Sequence, residues 1–313
     1  MPATARDSAV LRHEINLGQA GYPAGFLGVY RPPPTVYAVG DAAALMRPSL
    51  AIVGARKATP YGLACAKRFA SRAAARGIVV VSGGAIGCDQ AAHRGALAVG
   101  GQTVVVLGCG ADVVYPTGAA DLFAEVLAAS GTIISEAPWG SPVARWCFRQ
   151  RNRLIAGLAQ ATLIVEAGLP SGTFSTADDT LAQGKEVLAV PGSIYARESR
   201  GANRLIAQGA VPIVDDQSFD DALVQIFGVP LLPVPGSQRR AGLKEPLEED
   251  DTTQLVRDAL IQAPATAEGL VGICGADIVE VVRYLSLLEL HGMVCRLRDG
   301  RYSLSLSELE RSQ

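Results

Sequence analysis

Six short apolar runs, most of them rich in β-branched residues, punctuate the chain: Leu50-Ala51-Ile52-Val53, Ile78-Val79-Val80-Val81, Thr103-Val104-Val105-Val106-Leu107, Thr132-Ile133-Ile134, Leu163-Ile164-Val165 and Val187-Leu188-Ala189-Val190. None alternates with polar residues, so each predicts a strand buried on both faces. Helical patterns fill most of the gaps, among them the alanine-rich stretch 62–76 and the stretch 89–99. Strand and helix in alternation predict βαβ crossovers and an α/β fold, a Rossmann-like, doubly wound, mostly parallel sheet over residues 48–228. Residues 1–47 are expected to pack on that core.

The pattern changes after residue 228. Prolines, the cluster Gln238-Arg239-Arg240 and the acidic run Glu248-Glu249-Asp250-Asp251 mark 229–252 as a linker. Apolar residues then recur at helical spacing, with Leu255, Ala259 and Leu260 on one face and Ile278, Val281, Val282, Leu285, Leu288 and Leu290 on another. Two short strand patterns flank Asp299-Gly300, a strong hairpin signal. Helices followed by a hairpin predict a small C-terminal winged-helix-like domain over 253–306.

Charge separates the two parts. Residues 1–247 hold 22 Lys and Arg against 18 Asp and Glu, whereas 248–313 hold 6 against 12. Only the first part suits a polyanion. Met1 to Val10 lacks the pattern of a secretory signal, and no uncharged apolar run reaches the roughly 18 residues of a membrane helix, so a cytoplasmic protein with no membrane partner is expected. The six cysteines form no Cys-x-x-Cys pair and are expected to be reduced thiols.

Ligands of an open parallel sheet bind beyond the carboxyl ends of its strands. The residues there are consistently small: Gly54-Ala55-Arg56-Lys57, Ser82-Gly83-Gly84, Gly108-Cys109-Gly110, Ser171-Gly172-Thr173 and Pro191-Gly192-Ser193. One such turn merely permits a tight connection; five together favour a crevice where backbone N–H groups approach phosphate. The run Arg145-Trp146-Cys147-Phe148-Arg149-Gln150-Arg151-Asn152-Arg153 precedes an apolar helix expected to begin at Leu154. Arginines that pair with phosphate, interleaved with rings that stack on unpaired bases, favour single-stranded nucleic acid. Asp89 and His93 stand one helical turn apart, either as a metal or acid/base pair or, the preferred reading, as a carboxylate orienting an imidazole. Glu166 ends a strand and is placed either for catalysis or for holding the adjacent loop.

These pieces resemble the DNA-processing protein A family, also called DprA or Smf. The resemblance rests on Tyr22-Pro23, Ala51-Ile52-Val53-Gly54-Ala55-Arg56-Lys57, Val81-Ser82-Gly83, Tyr115-Pro116, Phe148-Arg149-Gln150-Arg151-Asn152-Arg153, Ser171-Gly172-Thr173, and Pro191-Gly192-Ser193 with Asn203-Arg204. It implies a dimeric binder without cofactor, metal or catalytic residues, which protects incoming single-stranded DNA and loads the RecA recombinase in natural transformation. Carried over, its pocket includes Gly54, Arg56, Ser82, Gly83, Arg145, Phe148, Arg151, Asn152, Ser171, Gly172, Lys185, Gly192 and Asn203. Lys57 and Arg149 join them as basic neighbours.

Three features depart from the family pattern. Ile86 stands where members usually carry arginine, Asp178-Asp179 follows Ser171-Gly172, and only about 20 residues precede the first matching piece. The C-terminal domain also lacks the polar residues of a duplex reader: the segment 277–291 offers Asp277, Glu280 and Glu289 against Arg283. It is therefore expected to contact protein, and removal of 248–313 to leave single-strand affinity largely intact. A nicotinamide dehydrogenase is disfavoured, because the first turn lacks Gly-x-Gly-x-x-Gly. The alternative is a nucleotide phosphoribohydrolase of the lysine-decarboxylase-like group, whose Pro-Gly-Gly-x-Gly-Thr-x-x-Glu motif is matched by Leu169-Pro170-Ser171-Gly172-Thr173 but not at its final glutamate.

Overall fold

The structure, a computed structural model, describes residues 11–228, 251–297 and 299–309. The predicted linker falls outside these residues except for its last two positions, as does the N-terminal decapeptide.

Seven parallel strands make up most of one nine-stranded sheet. They are β3 (Ser49–Val53), β4 (Val79–Ser82), β5 (Thr103–Leu107), β6 (Thr132–Ser135), β7 (Ala161–Ile164), β8 (Glu186–Ala189) and β9 (Val211–Pro212). Two earlier strands, β1 (Arg12–Asn16) and β2 (Thr35–Gly40), extend it, giving the order β1-β2-β6-β5-β4-β3-β7-β8-β9. β1 with β2 and β2 with β6 pair antiparallel; every other pairing in this sheet is parallel. All six apolar runs read from the sequence are strands of this sheet, each shifted by no more than two residues.

The helices of the core are α1 (Pro60–Ala75), α2 (Cys88–Ala98), α3 (Ala120–Ala128), α4 (Arg145–Leu158), α5 (Thr173–Ala182), α6 (Arg200–Ala207) and α7 (Asp216–Phe227). Successive strand residues point to opposite faces, so each strand feeds two cores. Leu50, Ile52, Val80 and Leu163 pack with Phe69 of α1, Ala92 of α2 and Phe219 of α7. Ala51, Val53, Val81 and Ile164 pack on the other face with Leu154 and Ile155 of α4, Ala177 of α5 and Leu205 of α6. This is the doubly wound α/β arrangement expected. The alanines of α1 let α2 approach closely, and a Cβ on Gly95 would lie 2.3 Å from the Lys67 carbonyl oxygen.

Helix α4 corrects one expectation. The basic run does not precede the apolar helix but forms its first turns, since α4 begins at Arg145. Arginine and glutamine are good helix formers, and no glycine or proline interrupts 145–156.

After residue 250 come α8 (Asp251–Gln262), α9 (Ala267–Cys274), α10 (Ile278–Leu290), the antiparallel pair β10 (Val294–Arg296) and β11 (Tyr302–Leu304), and the single turn α11 (Leu306–Leu309). Val256, Leu260, Leu270, Val281, Leu285, Leu288 and Leu304 form its own core, against which Tyr61 and Ala64 of α1 pack. Of the positions read as apolar faces, Leu255, Ile278, Val282 and Leu290 are exposed. The buried stripe of α10 is 281, 285 and 288, which keeps strictly to the i, i+4, i+7 spacing.

Candidate nucleic-acid interface

A crevice of about 840 Å³ opens at the carboxyl edge of the parallel strands. The loops after β3, β4 and β5 supply Arg56, Lys57, Gly83, Ile86, Gly108 and Cys109; α4 supplies Phe148 and Arg151; Tyr115 and Pro116 close one side. Chain direction along the sheet reverses between β3 and β7, so the crevice sits beside the switch point where open α/β sheets take ligands.

An aromatic ladder with a cation against it lines the crevice. The Arg56 guanidinium lies 5.1 Å from the Phe148 ring centre, and Tyr115 stacks on Phe148 at 5.4 Å with 29° between planes. Arg56 and Lys57 are exposed. Tyr115, missed as a site residue in the sequence, was already visible there as Tyr115-Pro116.

Behind the ladder lies Arg151, only 5% exposed, whose Nη1 donates to the Val106 carbonyl at 2.8 Å. A Cβ on Gly83 would sit 1.7 Å from that Nη1, so the loop after β4 approaches the guanidinium only because residue 83 has no side chain. Asp89 anchors the same loop, accepting from the Gly83 and Ala85 amides at 3.1 and 3.4 Å. Burial raises the Asp89 pKa against the opposing pull of Arg151, and burial brings Arg151 down to about 10, still a cation at neutral pH.

His93 does not pair with Asp89, contrary to the sequence reading. Its Nδ1 lies 2.7 Å from Thr103 Oγ1, whose own proton goes to the Val80 carbonyl at 2.6 Å. Asp89 is engaged by the loop instead, and His93 Nε2 has no hydrogen-bond partner among the described residues. His93 is therefore the Nδ1–H tautomer, held neutral because burial lowers its pKa to about 3. The unfolded chain takes up this proton near pH 6.5 and the folded one does not, so stability falls as pH drops below 6.5. By pH 5 this group alone costs about 2 kcal/mol. Urea unfolding at pH 5 and 7 is expected to show that loss in the wild type and a smaller one in His93→Gln.

The other expected residues are spread more widely. Gly54 and Ser82 lie beneath the crevice: a Cβ on Gly54 would meet Cys88 Sγ at 2.6 Å, and Ser82 Oγ donates to the Ile52 carbonyl at 2.6 Å. Asn152 Nδ2 donates to Ser175 Oγ at 2.8 Å, tying α4 to the start of α5, where Ser171 and Gly172 sit. The Asn203 side-chain amide exchanges two hydrogen bonds with the backbone of Gly192, at 2.8 and 3.1 Å, beside a smaller cavity of about 220 Å³. Arg145 and Arg149 occupy the exposed face of α4, whereas Arg153 is buried and paired with Glu136. Lys185 lies at the far end of α4, donating to the Ala156 and Gly157 carbonyls at 2.8 Å each, with burial lowering its pKa to about 8.

Glu166 takes the loop-holding role. It accepts from the Thr59 amide at 2.8 Å and the Thr59 hydroxyl at 2.7 Å, and Thr59 in turn caps α1. Among the described residues no group of three or more His, Cys, Asp or Glu side chains could hold a metal ion, and no helix is long and apolar enough to cross a membrane. All six cysteines are free, three of them buried.

The C-terminal hairpin also reaches this crevice, through Leu297, Asp299 and Arg301. Arg301 donates to Glu198 of the core at 2.6 Å and to Asp299 at 2.6 Å, and these contacts lower both carboxyl pKa values.

Comparison with known proteins gives consistent results. The family described as DNA recombination-mediator protein A matches residues 13–225. Protein Smf of Escherichia coli is 33% identical over 294 residues, covering 92% of this chain and 76% of its own. A putative DNA processing protein DprA of Mycobacterium tuberculosis is 36% identical over 254 residues, covering 81% of this chain; the chain spans 64% of that relative. Among solved structures, DprA from Streptococcus pneumoniae superposes with a TM-score of 0.62 and 31% identity over 67% of this chain and 73% of that one. DprA from Helicobacter pylori, described for its single-stranded DNA binding mode, gives 0.62 and 32% over 69% and 97%.

Proposed function

The chain belongs to the DNA recombination-mediator protein A family, and from that premise we propose that its crevice binds single-stranded DNA. The ladder of Arg56, Phe148 and Tyr115 carries this reading. Stacking needs an unpaired base, because a duplex hides both faces of each base inside its own stack. Exposed Arg56, Lys57, Arg145 and Arg149 supply phosphate partners, while Gly83 and Gly108 keep the loops low enough for a backbone to approach.

The role is binding rather than catalysis, since Glu166, the carboxylate best placed for chemistry, is committed to Thr59. On the family pattern the protein acts in the cytoplasm as a homodimer, protecting incoming strands and loading RecA in natural transformation. The C-terminal unit, three helices followed by a hairpin, is read as a winged-helix-like domain whose acidic α10 is turned to protein partners.

A titration of the protein with fluorescent oligonucleotides, single-stranded and duplex, over a salt series tests the reading. The expected result is a preference for the single strand, with log affinity falling against log salt at a slope of about −2 to −3 if the four exposed cations each meet a phosphate. Equal affinity for duplex, or a flat salt profile, removes the proposal.

A further inference from the structure

The unit that reaches into this crevice is the acidic part of the chain. Residues 248–313 carry twice as many acids as bases, 12 against 6, and their hairpin brings Leu297, Asp299 and Arg301 to the lining. Among the described residues Arg301 is the one hairpin cation in that lining, and it is already engaged. Its Nη2 lies 2.6 Å from Glu198 Oε1 and 2.6 Å from its own neighbour Asp299, while Nη1 reaches the second Glu198 oxygen at 3.3 Å. Its side chain is 19% exposed, so the guanidinium is used up in joining hairpin to core rather than offered to phosphate.

A strand entering the crevice in this arrangement meets the carboxylates of Glu198 and Asp299 on one side and the Leu297 side chain on the same wall. Both carboxyl groups are held below their usual pKa by Arg301, so both are ionised at neutral pH and repel phosphate. The small domain is further seated by Tyr61 and Ala64 of α1 against its core. We propose that the β10–β11 hairpin is an autoinhibitory cover, latched over the crevice by the Arg301–Glu198 ion pair, and that single-stranded DNA gains the crevice when this latch opens. The proposal rests on the single-strand reading above. Apparent affinity is then the intrinsic affinity multiplied by the open fraction.

The sign of one substitution separates a cover from a contact. If Arg301 held phosphate, replacing it with glutamate would weaken binding; if it latches the cover, Arg301→Glu sets three acids together, releases the hairpin and tightens binding. The experiment titrates a fluorescein-labelled oligothymidylate into the full chain, wild type, Arg301→Glu, and Arg301→Glu with Glu198→Arg. A part-exposed ion pair of this kind predicts a gain of about fivefold or more for Arg301→Glu. The double variant restores the pair with its charges exchanged and is expected to return toward wild-type affinity, even though it adds a cation to the core. If Arg301→Glu binds no tighter than wild type, or the double variant stays as tight as the single one, the cover is overturned while the single-strand reading stands. If none of the three binds the oligonucleotide, that reading fails and the cover falls with it.

Discussion

Arg151→Ala is expected to shift the urea unfolding midpoint by an amount worth about 3–5 kcal/mol, the range for removing one partner of a buried charged pair. The guanidinium holds the Val106 carbonyl and fills the space over Gly83, and its charge offsets that of buried Asp89. Without it Asp89 becomes a buried carboxylate that keeps the Gly83 and Ala85 amides but loses the charge that balances it. The loss depends on pH in a fixed direction. Asp89 in the variant has a folded pKa raised further above its unfolded value, so it stays protonated and tolerable at low pH and destabilises as pH rises. The deficit relative to wild type is therefore larger at pH 8 than at pH 5, and Asp89→Asn added to Arg151→Ala recovers part of it at pH 8. A deficit that is independent of pH would mean that Arg151 acts through packing alone.

Phe148→Ala is expected to cost about 1–3 kcal/mol of single-strand affinity, roughly 5- to 150-fold, with little change in the unfolding midpoint. The ring is half-buried and touches Arg56 and Tyr115 across the crevice, so its removal opens the ladder rather than the core. Tyr115→Ala weakens binding as well, and the double variant is expected to lose less than the sum of the two, because residues in contact do not act independently. Fluorescence anisotropy on all three variants reads the coupling. Strict additivity would place the two rings on separate stretches of the strand. Arg56→Ala weakens affinity and flattens the salt dependence, whereas Phe148→Ala leaves the salt slope in place; this contrast separates the phosphate partner from the stacking one.

The sheet was legible because its strands are buried on both faces and therefore read as unbroken apolar runs. β1 and β2 were not, since a strand such as Arg12–Asn16 carries charge at two of its five positions and has a partner only through long-range pairing with Thr35–Gly40. At the site, residue types were easier to read than their partners. Arg56, Lys57, Gly83, Phe148 and Arg151 converge as the turn positions and the basic run suggest. Lys185 shares their basic character, but its position beyond β7 and α5 sends it to the other end of α4, where free helix carbonyls attract an ammonium. Asp89 and His93 lie at the spacing of a helical pair, yet each has a better partner from a neighbouring strand or loop, which no helical periodicity encodes. The expectation that the C-terminal part contacts protein, and that removal of residues 248–313 leaves single-strand affinity largely intact, came from its charge. Arg301 and Glu198 are separated by 103 positions, so their pairing has no local signal.

The two outermost strands of the sheet bear on how copies of this chain can associate. β1 presents Arg12 and Glu14 within five residues, and β9 is only Val211–Pro212, whose proline has no amide hydrogen to offer a further strand. Charged residues on one border and a short, proline-ended strand on the other are the devices by which sheets resist growing into fibrils or joining their neighbours edge to edge. Edge-to-edge pairing of two copies is thereby disfavoured, so a second copy, were one to bind, would find its surface on the helices and loops, away from main-chain hydrogen bonds.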